Sequence, residues 1–182
     1  MSRCWGDRLT EDMREYHDHV WGKPENDDVK LFKMLSMECF QAGLSWAIVL
    51  KREKALETAF DGFDPRKVAA YDDAKVDQML TADGMIRHRG KIEAVIHNAR
   101  CYQAIQREFG SFDAYIWGYT EGKVIDSRFT DSAELPAKTE LSERIARDMR
   151  KRGFKFLGAT TVYAFLQSIG VVNDHLVGCD WR

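Results

Sequence analysis

Apolar positions recur along this chain at three- and four-residue spacing, the period of helices packed on one face. Val29, Phe32, Met34 and Leu35 open such a run behind an Asp27–Asp28 cap, and it should close near Gln41–Ala42–Gly43. Ser45 stands where a cap would start a helix from Trp46 to about Phe60. Asp64–Pro65 places a capping carboxylate before a proline at the first helical position. Asp72 caps a short helix through Val76, Met79 and Leu80, and Gly84 then breaks the chain. A longer helix runs from about Arg89 past Tyr102, with Ile92, Val95, Ile96 and Ala99 on one face. Ser111 can cap a short piece through Tyr115. Leu141, Ile145 and Met149 mark another helix, ended by Gly153, and a last one lies around Thr160 to Ser168, ended by Gly170. Gly118 to Pro136 reads as loop, and Val124–Ile125 and Phe154–Leu157 are the places where short extended pieces fit. The pattern predicts an all-α fold, with no internal repeat and no low-complexity segment.

At 182 residues and 45% apolar content, the chain is expected to form a single unit over 1–182 with a sizeable core. No secretory leader is expected, because Ser2 to Asp7 are polar and no apolar run follows, and no run approaches the length of a membrane span. A cytoplasmic location and a monomer follow as expectations, since no heptad or spare apolar stripe is left over. A net charge of −2 does not by itself suggest a nucleic-acid binder, but its distribution is uneven. The first thirty residues are acidic, with Asp7, Glu11, Asp12, Glu15, Asp18, Glu25, Asp27 and Asp28. Arg87, His88, Arg89 and Lys91 form one basic knot, and Arg144, Arg147, Arg150, Lys151, Arg152 and Lys155 form another. These are either solvated helix faces or local phosphate-binding faces on an otherwise acidic protein.

Cys4 and His17 near the start, with His175 and Cys179 near the end, supply two thiolates and two imidazoles. That set suits a closed tetrahedral zinc site tying the two ends together. His175 and Cys179 are four apart, so a helical turn or tight loop points both the same way. The spacings match no classical finger, and the alternative is buried small hydrophobes and ordinary polar histidines. Disulfides among Cys4, Cys39, Cys101 and Cys179 are disfavoured in an intracellular chain with scattered cysteines.

Three segments carry further chemistry. In Glu38-Cys39-Phe40-Gln41-Ala42-Gly43-Leu44-Ser45-Trp46 a carboxylate ends one helix, a Trp opens the next, and Leu44 sits near the tip of a glycine turn. This is either a plain helix corner or a pocket with an acid, an aromatic wall and an apolar wedge for a base stack. Tyr16-His17-Asp18-His19-Val20-Trp21-Gly22 adds rings that serve as core or line a flat pocket suited to a planar heterocycle. Leu80 to Ile92, with the Gly84 turn, reads as a helix–hairpin–helix over about residues 73–106. Its backbone N–H groups and the second helix N-terminus suit a phosphate, unless it is a simple corner.

Together these pieces resemble the bacterial type I 3-methyladenine DNA glycosylases, over nearly the whole chain. The matching residues are Arg3-Cys4; Tyr16-His17-Asp18 with Trp21-Gly22; Glu38 with Gln41-Ala42-Gly43-Leu44-Ser45-Trp46; Ile86-Arg87-His88-Arg89 with Lys91-Ile92; Lys151-Arg152-Gly153-Phe154-Lys155-Phe156; and Val172-Asn173-Asp174-His175 with Gly178-Cys179. The resemblance implies a helix–hairpin–helix glycosylase fold that excises 3-methyladenine from alkylated double-stranded DNA and releases the free base. It implies Cys4, His17, His175 and Cys179 as ligands of a structural zinc ion. It implies Glu38 on the base edge as the catalytic group, Tyr16 and Trp46 holding the base, and by extension Trp21 lining the pocket. Gly43 and Leu44 would approach the gap left in the duplex, and Gly84, Arg87, Arg89 and Lys91 would grip the backbone. Trp5 precedes Gly6, whereas the family carries its aromatic one position later, so Trp5 is left out of the site.

A base inside a duplex must be flipped out before it can be cut. N3-methylation makes the base cationic and already a good leaving group, so little acid catalysis is needed. This agrees with the lack of any Asp between Ala99 and Ser111, after the hairpin, and the lack of a clear imine-forming lysine predicts a monofunctional enzyme leaving an abasic site. Two other readings remain at this level: a non-catalytic binder of DNA or methylated base on the same scaffold, and a zinc-stabilised interaction protein that never touches DNA.

Overall fold

A computed structural model of the chain describes residues 2–6 and 8–182; the acidic position Asp7 lies outside the described residues. Among them are ten α-helices: α1 (Glu11–His19), α2 (Asp28–Gln41), α3 (Trp46–Lys51), α4 (Glu53–Ala59), α5 (Pro65–Val68), α6 (Asp73–Thr81), α7 (Arg89–Phe109), α8 (Phe112–Gly118), α9 (Glu140–Lys151) and α10 (Ala159–Ser168). None is long and apolar enough to cross a membrane.

α2 is the central element. Leu31, Phe32 and every residue from Met34 to Phe40 are buried, and the helix packs against α3, α7, α8 and α10. Its start is fixed twice. The Asp27 carboxylate accepts from the backbone N–H groups of Val29 and Lys30, as the sequence predicts. Asp28 reaches across instead, accepting from the Gln106 amide and from the N–H groups of Phe112 and Asp113 at the head of α8. One carboxylate thereby joins three helices. Below it, Phe32, Phe60, Phe63, Tyr102 and Phe112 make a fully buried aromatic cluster.

Several expectations are corrected. The helix expected from Trp46 to Phe60 is two, interrupted at Arg52, and the Ser45 hydroxyl makes no capping bond. Phe154–Leu157 forms no strand; Phe156 there has a positive φ of 58°. The short extended piece expected at Val124–Ile125, within the loop from Gly118 to Pro136, is present as a strand, β1 (Ile125–Asp126), which pairs in parallel with β2 (Val172–Asn173). The sequence reading missed α1 altogether, although Thr10 accepts from the Met13 N–H and Met13, Tyr16 and Val20 follow helical spacing.

The hairpin between α6 and α7 is a turn at Ala82–Met85, closed by the Met85 N–H donating to the Ala82 carbonyl at 3.3 Å. Gly84 sits third in that turn with φ +75°, where a Cβ would lie 2.9 Å from the Ala55 Cβ. Only glycine satisfies both the dihedral and the close approach to α4.

Candidate functional site

Two assemblies share one end of the molecule. The first is a cavity of about 260 Å³ lined by Trp5, Met13, Tyr16, Trp21, Glu38, Gln41, Trp46, Ala164 and Gln167. It brings together all four pocket residues expected from the sequence: Glu38 from α2, Tyr16 from α1, Trp21 from the turn after α1, and Trp46 from α3. Their rings form a continuous wall. Tyr16 and Trp46 lie 5.0 Å apart, Trp5 and Trp21 4.9 Å, and Trp5 stacks on Tyr16 at 6.0 Å. Trp5, excluded by sequence position, belongs to this wall. Met13, Gln41, Ala164 and Gln167 were also missed; Met13 carried a signal in its helical phase with Tyr16.

Glu38 is 3% exposed, and its Oε2 has no hydrogen-bond partner. The indole Nε1 of Trp46 is likewise buried and unpartnered. Native structures leave few such atoms, and two in one cavity ask for a guest that supplies a donor or positive charge to one and an acceptor to the other. Burial alone pushes the Glu38 carboxyl up from 4.5 to about 8. Burial also holds the Tyr16 hydroxyl well above its ordinary value, the charge of Glu38 adding to the effect. A larger cavity of about 460 Å³ lies over α2 and α4, but Lys33 there is met by Glu53 at 2.6 Å and Glu57 at 2.5 Å. Its charges satisfy each other, and no buried atom is left without a partner.

The second assembly is Cys4, His17, His175 and Cys179, whose ligand atoms all lie within 4.8 Å of one another. The protein fixes each ring. His175 Nε2 faces the Trp21 carbonyl at 2.9 Å, which only accepts, so the proton sits on Nε2 and the Nδ1 lone pair faces Cys4 and Cys179 Sγ, each at 3.4 Å. His17 Nδ1 lies 2.7 Å from Asp18, leaving Nε2 toward Cys179. Asp18 is held at about 2, first by its bonds from Arg3, so it stays ionised to accept from His17. The Leu176 N–H donates to Cys4 Sγ at 3.2 Å, and the Cys179 N–H closes a turn on Leu176. Two thiols, two oriented imidazoles and outer partners on both rings form a donor set that fits a four-coordinate metal. Burial lowers both imidazoles, so they are neutral ligands, and holds the Cys4 thiol up at about 12. Thiolates there need a cation's charge. All four cysteines are free of disulfides.

The two assemblies touch through Trp21, whose ring lies 4.7 Å from His175 and 5.9 Å from His17. The back of the aromatic wall is therefore the face of the metal-type centre.

The residues expected to meet DNA are placed unevenly. Gly43 (φ +79°) is exposed in the turn after α2, and Leu44, half-buried, closes that turn by donating to the Gln41 carbonyl at 2.7 Å. Arg87 is exposed on the hairpin and meets no partner among the described residues. Arg89 is exposed but paired with Asp77 and Glu93. Lys91 is not on the surface: it is 5% exposed, and its ammonium donates to the carbonyls of Phe40 at 2.8 Å and Ala42 at 2.5 Å. A backbone-gripping role for Lys91 is corrected accordingly, because the buried ammonium already donates to two carbonyls at the end of α2. In the second basic knot Arg152 is committed to Glu108 and Asp148, and Arg144 to Tyr119, while Arg147, Arg150, Lys151 and Lys155 stay exposed.

Comparison with known proteins adds independent findings. The methyladenine glycosylase family model matches residues 5–182. The chain is 44% identical over 165 residues to the DNA-3-methyladenine glycosylase of Haemophilus influenzae, covering 91% of this chain and 89% of that protein. It is 43% identical over 164 residues to DNA-3-methyladenine glycosylase 1 of Escherichia coli, covering 90% and 88%. Among solved structures, a tyrosine-to-phenylalanine variant of 3-methyladenine DNA glycosylase I in complex with 3-methyladenine superposes with a TM-score of 0.96 at 36% identity, covering all of this chain and 98% of that one.

Proposed function

The chain belongs to the methyladenine glycosylase family and excises 3-methyladenine from DNA, and we propose that it does so on alkylated duplexes as a monofunctional, monomeric enzyme whose base pocket is built by Glu38, Tyr16, Trp21, Trp46 and Trp5. The observation that carries this reading is the buried, unpartnered Glu38 Oε2 inside an aromatic-walled cavity. An empty pocket of this kind keeps the acid neutral at pH 7. A cationic base brings the positive charge that the pocket lacks, so Glu38 ionises against it, and the rings favour the same charge from the side. A neutral adenine offers neither term. The pocket thus selects the methylated base by its charge.

Once the base is flipped, the bond between the sugar C1′ and the base nitrogen breaks, and the base leaves as a neutral molecule with the bonding pair. Water adds its oxygen to C1′ and gives its proton to solvent, leaving an abasic site and free 3-methyladenine. Most of the rate comes from the lability of the cationic base; the residues here select and hold it. Leu44, on its short turn, supports a wedge role at the vacated stack, and the hairpin with Gly84, Arg87 and Arg89 supports a grip on the phosphate backbone.

The Cys4, His17, His175 and Cys179 group is assigned to zinc, since two sulfur and two nitrogen donors suit that ion. Four protein ligands leave no open position for water, which makes the centre structural. Its work is to hold the chain ends together behind Trp21.

The test is release of free bases from methylated DNA, resolved by chromatography, for the native protein and Glu38→Ala. The native protein should release 3-methyladenine, and the variant should not, while keeping its fold and metal. Normal excision by Glu38→Ala would remove Glu38 from its role.

A further inference from the structure

Asp174 lies in the Asn173–His175 segment that enters the metal-type centre, yet its carboxylate is not part of that centre. It is completely buried. Its Oδ2 receives the Tyr163 hydroxyl and, at 2.6 Å, the Gln167 Nε2, while Oδ1 has no partner. A buried carboxylate is costly unless its donors matter. Of its two donors, Tyr163 is buried within α10's packing face, and Gln167 lines the base cavity.

This contact fixes which way the Gln167 amide faces. A carboxylate only accepts, so the NH₂ group must point at Asp174 and the carbonyl oxygen Oε1 must point away. Oε1 accepts no bond among the described residues and is not among the buried unpartnered atoms, so it is open to an occupant. The backbone is pinned as well, with the Gln167 carbonyl accepting from the Gly22 N–H at 2.8 Å. Gln41, the other amide in the cavity, has no such anchor and can turn either end inward.

We propose that Gln167 is a specificity residue of the base pocket and Asp174 the positioning residue that makes it an obligate acceptor. The inference rests on the glycosylase reading above. An adenine-type base carries an exocyclic amine with two N–H donors, enough for Glu38 and Gln167 together. A guanine-type base carries a carbonyl oxygen at the same ring position. Facing Gln167 Oε1, that oxygen is an acceptor opposed to an acceptor, and the amide cannot flip to accommodate it while Asp174 holds it. Sites that hydrogen-bond a donor reject the analogue lacking it far better than apolar walls do.

The experiment compares single-turnover release of 3-methyladenine and 3-methylguanine from the same methylated DNA. Gln167→Met keeps the length of the side chain and removes its polarity. It should slow 3-methyladenine release by about tenfold or more, as for loss of a hydrogen bond to a charged group, and speed 3-methylguanine release, because the opposed oxygen is gone, so the ratio collapses. Asp174→Ala should shift the ratio the same way, whereas Asp174→Asn, whose carbonyl can still accept from Gln167 and Tyr163, should restore it. Metal content, measured on every variant, should not change, which separates positioning from damage to the neighbouring centre. An unchanged ratio in Gln167→Met overturns the specificity role. An unchanged ratio in Asp174→Ala overturns the positioning role, and should that variant not fold, Gln167→Met still decides the first. Absence of 3-methyladenine release by the native protein would instead overturn the glycosylase reading itself.

Discussion

The ammonium of Lys91, in the first turn of α7, donates to the carbonyl of Ala42 at 2.5 Å, inside the turn that carries Leu44. A second bond to Phe40 at 2.8 Å takes the last buried residue of α2. The hairpin helix is thereby fastened to the turn beside the base pocket by one side chain, and whatever seats the hairpin on a duplex also seats Leu44. A cation at a helix C-terminus is favourable in its own right, because the last carbonyls have no partner within the helix.

This placement separates two lysine and arginine effects that a sequence would lump together. Lys91→Met should lower thermal stability by about 1–3 kcal/mol through two carbonyls left unpaired. It should weaken DNA binding without altering how steeply binding falls with salt. Arg87→Ala, from an exposed and unpaired position, should leave stability alone and reduce the salt slope by about 0.9. Titration of duplex DNA across a salt series reads both, and a reduced slope in Lys91→Met would return that residue to the phosphate face.

Gly84→Ala tests the hairpin. The added methyl meets the Ala55 Cβ at 2.9 Å, and the residue keeps φ +75°, which side chains resist. Overpacking of this size costs about 1–3 kcal/mol, so the melting temperature should fall by several degrees, at about 2–4 °C per kcal/mol for a chain of this length. DNA affinity should fall with it, while binding of free 3-methyladenine to the pocket stays close to native. Loss of free-base binding would mean that the hairpin supports the pocket directly.

Removal of the metal should also be selective. Burial without a cation holds the Cys4 thiol up at about 12, so metal binding must expel protons and should weaken as pH falls. Cys179→Ser should bind metal poorly, and a strong chelator should lower the melting temperature of the native protein. The core of α2, α7 and α10 is built from buried apolar side chains that are not ligands of the centre, so helical content should survive where an isolated zinc finger would unfold. Because Trp21 packs on His175, indole fluorescence should respond to metal loss, and a native-like spectrum with full metal content in Cys179→Ser would take that residue out of the ligand set.

Much of this architecture is legible from local pattern. Asp27, Asp64, Asp72 and Ser111 cap helices where the sequence places them, because a cap is a contact over two or three residues. The pocket residues Glu38 and Trp46 are legible through the segment that carries them. What escaped depends on distance along the chain. Lys91 reads as one more member of a basic knot, and only its position 49 residues from Ala42 in sequence makes it a buried clamp. Trp5 enters the aromatic wall because Cys4 is drawn to His175, a contact spanning 171 residues. The pairing of Ile125 with Val172 has no local signal, since two residues carry no period. The helix α1 is a different failure. Its Thr10 cap and acidic first turn are local signals, but only Tyr16, His17 and Asp18 of its nine residues are buried, so its apolar stripe is too short to mark a helix.

Glu38 offers the sharpest test, because the group proposed to select the base also strains the fold. Its carboxyl stands at about 8 in the folded protein against an ordinary 4.5. The folded state holds this proton more tightly than the unfolded chain does. The stability associated with it is complete below 4.5 and is lost as pH rises toward 8. Glu38→Gln cannot ionise and escapes the loss. It should melt together with the native protein in mild acid and above it from there upward, the gap widening to about pH 8 and then holding, on the order of a few kcal/mol. Excision should fall in the same variant. In the native protein, affinity for the cationic base should rise with pH through about 8 as Glu38 becomes free to ionise, and the variant should show no such rise. A variant that melts no higher than native protein at pH 8 would mean that the carboxylate is satisfied in the empty pocket, and selection by charge would then need another residue.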